Sequence, residues 1–177
     1  MSARILIQAT LLFIGLLLGQ IFVFDLIHIT GFGSVMVYPL LIMLLPINLP
    51  KAAVLVIAFL VGYILDFFTG NGGFHAAALT LMAFARGPVL DLLAPTAGYD
   101  KNALPTVEER GVKWFLLYAF LLLLVHQTAY YFIERFSFSN FMYTVIRIIS
   151  GTAISVFTIW LLTLLFSATE RKRKSRT

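Results

Sequence analysis

Apolar residues occur along this chain in long blocks with few polar interruptions, and that pattern predicts membrane-crossing helices. The first block runs almost unbroken over residues 5–24. About twenty such residues, rising 1.5 Å each, cover the roughly 30 Å of a hydrocarbon layer. Blocks at 34–47, 52–68, 73–85, 112–132 and 141–166 bring the predicted spans to six. The second carries Pro39 and is followed by Pro46 and Pro50, so it is read as kinked or partly re-entrant. The fourth is expected to stop at Arg86-Gly87-Pro88, because glycine suits a left-handed cap and proline cannot continue the hydrogen-bond ladder. A short interfacial helix over 89–93 would follow. The pattern predicts an all-α integral membrane protein, a six-helix transmembrane bundle forming a single domain over residues 1–177.

Composition strengthens this picture. Hydrophobic residues make up 60% and charged residues 12%, against about half and a quarter in soluble domains, which leaves no room for a separate soluble domain. The net charge of +5 does not point to nucleic acid, because five of the thirteen basic residues lie between Arg171 and Arg176. A basic segment after an apolar helix marks the cytoplasmic face and anionic membrane lipids, so residues 168–177 are read as a basic cytoplasmic tail. With six spans, both termini and the mixed-charge loop 95–111 are then cytoplasmic. Eleven basic residues fall inside, Arg135 falls outside, and Arg147 lies within a span. The first block is too long for a signal-peptide core and no A-x-A site follows, so it is read as a retained span. Aromatic belts are expected outside (Tyr130, Tyr131, Tyr143) and inside (Trp114, Tyr118).

The candidate chemistry is sparse. The absence of cysteine excludes disulfides, thiolate nucleophiles and cysteine metal sites. His28, His75 and His126 show no ligand spacing, and Ser34 and Ser150 sit on no nucleophile elbow. No enzyme or cofactor signal emerges. Gly15 with Gly19, and Gly151 with Ser155, provide small residues at four-residue spacing for close helix packing. Thr69-Gly70-Asn71-Gly72-Gly73 reads as a tight turn; it lacks the Gly-Lys-Ser/Thr ending of a phosphate loop.

The costliest residue is Arg147, at about 3 kcal/mol if placed mid-membrane. It lies six residues into its span, and His126 lies six residues from the outer end of the fifth, so both sit roughly 9 Å below one face. Asp66 ends the third span, Asp25 the first, and His75 opens the fourth. The matching depths predict that Arg147 pairs with Asp66, with His126 in the same network. Asp66, His75, His126 and Arg147 would form a cluster that is either structural or meets a partner or small ligand.

The stretch Gly62-Tyr-Ile-Leu-Asp66-Phe-Phe-Thr-Gly70-Asn-Gly-Gly73-Phe-His75, followed by an alanine- and leucine-rich run to Arg86, resembles the rod shape-determining protein MreD family. Chain length, six apolar blocks and a basic tail are similar too, while loop 95–111 and the proline-rich second block depart from the family. The resemblance implies a fold similar to the substrate-binding subunits of energy-coupling-factor transporters. It also implies a non-catalytic scaffold or regulator of lateral cell-wall elongation in the bacterial inner membrane. The partners implied are MreC, through it RodA and a penicillin-binding transpeptidase, and indirectly MreB. Asp66 and His75 would lie near the outer face where MreC docks. The alternative is a small-solute-binding membrane subunit of an energy-coupling-factor-type transporter. A cavity of at least some 300 Å³ in the outer half would favour that alternative, whereas a scaffold should fill the space with side chains.

Overall fold

The computed structural model describes residues 13–24, 33–100, 103–135 and 140–174, with side chains as far as 164. The expectations for residues 1–12, Asp25, His28, Lys101 and the side chains of the basic tail lie outside the described residues. Within them the chain is helical, with no strand. The elements are α1 (Phe13–Phe24, π-helical over Gln20–Phe24), α2 (Leu40–Met43), α3 (Lys51–Thr69), α4 (Phe74–Leu92), α5 (Val107–Arg110), α6 (Val112–Arg135) and α7 (Phe141–Lys174). Three of these are long and apolar enough to cross a membrane: α3, α6 and α7 over Phe141–Leu164. α4 packs between α3 and α6, and α6 between α4 and α7. Large apolar side chains such as Phe59, Phe67, Phe84, Met142 and Ile149 are left exposed on the outer faces. That arrangement suits lipid as the surrounding solvent.

The second predicted span departs most from expectation. Only Leu40–Met43 is helical there, and residues 33–37 have no regular structure although 35–43 are buried throughout. This segment starts against α7, where a Cβ on Gly33 would overlap the Arg147 carbonyl and the backbone of Gly151. It ends beside Arg86, which donates to the carbonyl oxygens of Leu45 and Pro46. It therefore threads the bundle mainly as non-helical backbone.

The fourth helix also differs from expectation. α4 runs through Gly87 and Pro88 to Leu92, and no separate interfacial helix forms over 89–93. Proline inside a helix costs about 3 kcal/mol, an amount that packing along both flanks of a 19-residue helix outweighs. Arg86, expected at the water face, is buried and also donates to the Tyr118 hydroxyl at 3.0 Å. Tyr118 and Tyr131, expected in interfacial belts, are fully buried.

Loop 95–106 is tied to the helix ends. The Tyr99 hydroxyl donates to the Leu90 carbonyl (2.8 Å), Trp114 Nε1–H to that of Leu93 (2.9 Å), and Arg110 covers the Tyr99 ring. Thr106 caps α5 by accepting from the Glu109 N–H, while the Glu109 carboxylate accepts from the Leu104 N–H.

Candidate functional site

Backbone that leaves the helix in an apolar setting must find partners for its N–H and C=O groups. The polar side chains inside the apolar blocks supply them. Gln20 on α1 donates from Nε2 to the Val35 carbonyl (3.1 Å) and accepts the Val37 N–H on Oε1 (2.8 Å). The Gly33 N–H donates to Ser150 Oγ (3.1 Å), that of Ser34 to the Tyr131 hydroxyl (2.6 Å) and that of Met36 to Ser155 Oγ (2.9 Å). The Tyr118 hydroxyl donates to the Met43 carbonyl (3.1 Å). Of the predicted packing pairs, Gly151 and Ser155 face both the extended segment, at Gly33 and Met36, and Gln127 on α6. Among the described residues, a Cβ added at Gly15 meets nothing within 4 Å, and one at Gly19 meets only the Phe24 side chain, at 3.8 Å.

Asp66 does not meet Arg147. Its carboxylate accepts the N–H groups of His75 (3.0 Å) and Ala76 (2.9 Å), in the first turn of α4. The residue capping that helix is Gly73, which has no side chain to offer. An aspartate at the end of α3 does the work instead, and its negative charge suits the positive end of the helix dipole. The turn holding the two helices together has Gly70 at φ 71° and Gly73 at φ 98°, as glycine permits. Asp66→Asn should cost about 1–2 kcal/mol, because an amide N–H₂ would face a backbone N–H. Thermal unfolding of the purified protein checks this, and an unchanged midpoint would dismiss the cap.

His75, Tyr38 and His126 form a chain whose hydrogen direction can be read off. The Thr69 hydroxyl donates to the Leu65 carbonyl (2.8 Å), so it accepts from Asn71 Nδ2 (3.0 Å). That fixes the Asn71 amide, whose Nδ2 donates to His75 Nε2 (3.1 Å). The His75 proton must then lie on Nδ1, which donates to the Tyr38 hydroxyl (2.7 Å), and Tyr38 donates in turn to His126 Nε2 (2.7 Å). The chain ends at His126 Nδ1–H, which is buried with no partner among the described residues. It links the extended segment to α4 and α6, and all its members serve to position one another.

Arg147 pairs with Glu134 at 2.9 Å and lies over the Tyr131 ring at 4.3 Å. Depth alone points to Asp66 as the partner. Glu134 is the penultimate residue of α6, the neighbouring helix, and a long arginine side chain reaches toward the interface to meet it. Between this pair and His75 lies a cavity of about 430 Å³. Ser34, Thr69, Asn71, His75, Glu134 and Arg147 give its lining polar groups, and Ile21, Met36, Phe68 and Tyr130 add apolar surface. Of the predicted cluster, His75 and Arg147 line this cavity, while Asp66 and His126 stand behind it. Gln20, Tyr38 and Glu134 lie outside the predicted cluster, although each is a polar residue in or beside an apolar block.

The described residues contain no cluster of metal-ligating side chains. Fold and site together define an α-helical protein with three helices long and apolar enough to cross a membrane and a cavity lined by polar and apolar side chains. Comparison of the chain with protein-family models, with curated proteins and with solved structures gives no match in any of the three.

Proposed function

We propose that this chain is a non-catalytic inner-membrane subunit of the bacterial lateral-wall elongation machinery, of the MreD type, with both termini cytoplasmic. In this reading it binds an MreC-like protein at its outer end and thereby helps to hold cell shape. One observation carries the reading: the residues of the quoted motif act as a single structural unit. Gly62 lets α3 touch the backbone of α4 at Ala76, Asp66 caps α4, Gly70 and Gly73 make the turn, and His75 anchors the extended segment. This interlocking supports reading the motif as one structural unit, and Thr69, Asn71 and His75 of it line the cavity, which in this reading faces outward to meet a partner. The cavity itself favours the second reading, a small-solute-binding transporter subunit, since its 430 Å³ exceeds the roughly 300 Å³ such a site needs.

Purification of the tagged chain from its native membranes, together with its depletion, tests both readings. Recovery of an MreC-like protein and rounding of rod-shaped cells is the expected result. Recovery of an ATPase module from cells that keep their shape would overturn the scaffold in favour of the transporter subunit.

A further inference from the structure

The ion pair at the cavity wall is only half used. Arg147 and Glu134 share one N–H···O bond, from Nη1 to Oε2. A guanidinium has five N–H donors and a carboxylate two oxygens. Among the described residues, the second Glu134 oxygen and the other guanidinium N–H groups have no hydrogen-bond partner, and both side chains line the cavity. Their side chains remain 18% and 32% accessible. The wall thus presents adjacent positive and negative charges with open valences. A ligand carrying a single sign would pull one member away from the other and leave it uncompensated. A ligand carrying both signs satisfies each in place.

From this we propose that the cavity binds a zwitterionic group of the phosphoethanolamine type, its anionic oxygens on Arg147 and its ammonium on Glu134. Arginine recognises phosphate oxygens through paired N–H donors. An ammonium with free N–H groups donates to the open carboxylate oxygen, which a quaternary ammonium cannot do. Thr69, Asn71 and Ser34 add hydrogen-bonding groups to the cavity lining. Phe68 also lines the cavity, and on α3 Phe67 and Phe68 are 75% and 64% exposed. The site therefore opens beside a surface suited to acyl chains. The same headgroup chemistry could also arrive as a free solute. The inference holds under either functional reading.

The full chain, purified in maltoside micelles and stripped of lipid, is titrated with phosphatidylethanolamine, phosphatidylcholine, phosphatidylglycerol and soluble glycerophosphoethanolamine. Unfolding temperature is read against concentration, and native mass spectrometry counts bound molecules. Phosphatidylethanolamine should raise the midpoint saturably, with one molecule retained and weaker responses to the choline and glycerol lipids. If glycerophosphoethanolamine gives the same shift, the headgroup alone is the ligand; if only the diacyl form does, the ligand is a lipid. Glu134→Gln should weaken binding about tenfold, the loss of one charge-assisted contact. Ile21→Trp should block it by filling the cavity while leaving the ion pair untouched. Equal shifts with all three lipids, unchanged binding in both variants, or a cavity found filled by a polypeptide recovered with the chain would each overturn the proposal.

Discussion

Gln20→Leu is expected to cost the folded state about 2–4 kcal/mol, one of the two largest losses open to a single substitution here. Leucine fits the apolar surroundings of α1, so hydropathy alone would score the change as favourable. The loss comes from the extended segment. Gln20 is fully buried and satisfies both the Val35 carbonyl and the Val37 N–H. Removing it leaves a buried acceptor and a buried donor unpaired, at about 1–3 kcal/mol each. The unfolded chain in a membrane or micelle also finds partners, which reduces each of these contributions. Gln127→Leu is the internal control. Its bonds to Ser34 and Ser155 are longer, 3.4 and 3.3 Å, so the cost should be about half as large. Denaturant titration of the purified variants reads both values. If Gln20→Leu unfolds like the parent, Gln20 does not hold the segment.

The same segment marks where sequence reading stops. Apolarity over 34–47 reported burial correctly, but burial does not specify backbone conformation, and a short apolar run reads equally as helix or extended chain. What decides between them is whether the backbone finds partners elsewhere. Those partners lie far away in sequence, on α1, α6 and α7, at Gln20, Tyr131, Ser150 and Ser155. Each was visible as a polar residue in or near an apolar block. Charge instead singles out Asp66, His126 and Arg147. Helical rise gave their depths, yet depth without azimuth cannot choose between Asp66 and Glu134 as the partner of Arg147. Local chemistry was more legible. The glycine-rich turn between α3 and α4 followed from its residue types, because only glycine accepts φ values of 71° and 98° without strain. At Arg86-Gly87-Pro88 the local rule failed, since tertiary packing kept α4 helical past a proline that propensity treats as a stop.

Gly62→Ala should be at least as damaging as the loss of Gln20, although inside a helix this substitution normally gains about 1 kcal/mol. The gain reflects backbone entropy and applies only where the methyl has room. At Gly62 the new Cβ would overlap Ala76 Cα and lie within 2.6 Å of Ala76 N and 2.7 Å of the His75 carbonyl carbon. Those atoms are backbone, so no change of rotamer relieves the clash, and α3 and α4 must separate. Overpacking of this kind costs about 1–3 kcal/mol by itself. Here the displaced residues are the very ones Asp66 caps, and His75 also holds Tyr38, so the cap and the histidine chain loosen together. The expected net loss is about 3 kcal/mol or more, read as a lowered unfolding midpoint or failure to accumulate in membranes. Gly15→Ala is the matched comparison. It lies on a helix with nothing among the described residues within 4 Å of the added methyl, and it should gain about 0.5–1 kcal/mol. Two variants identical in chemistry should therefore move in opposite directions. Should both stabilise, α3 and α4 do not meet at Gly62, and the unit formed by Gly62, Asp66 and His75 has no physical basis.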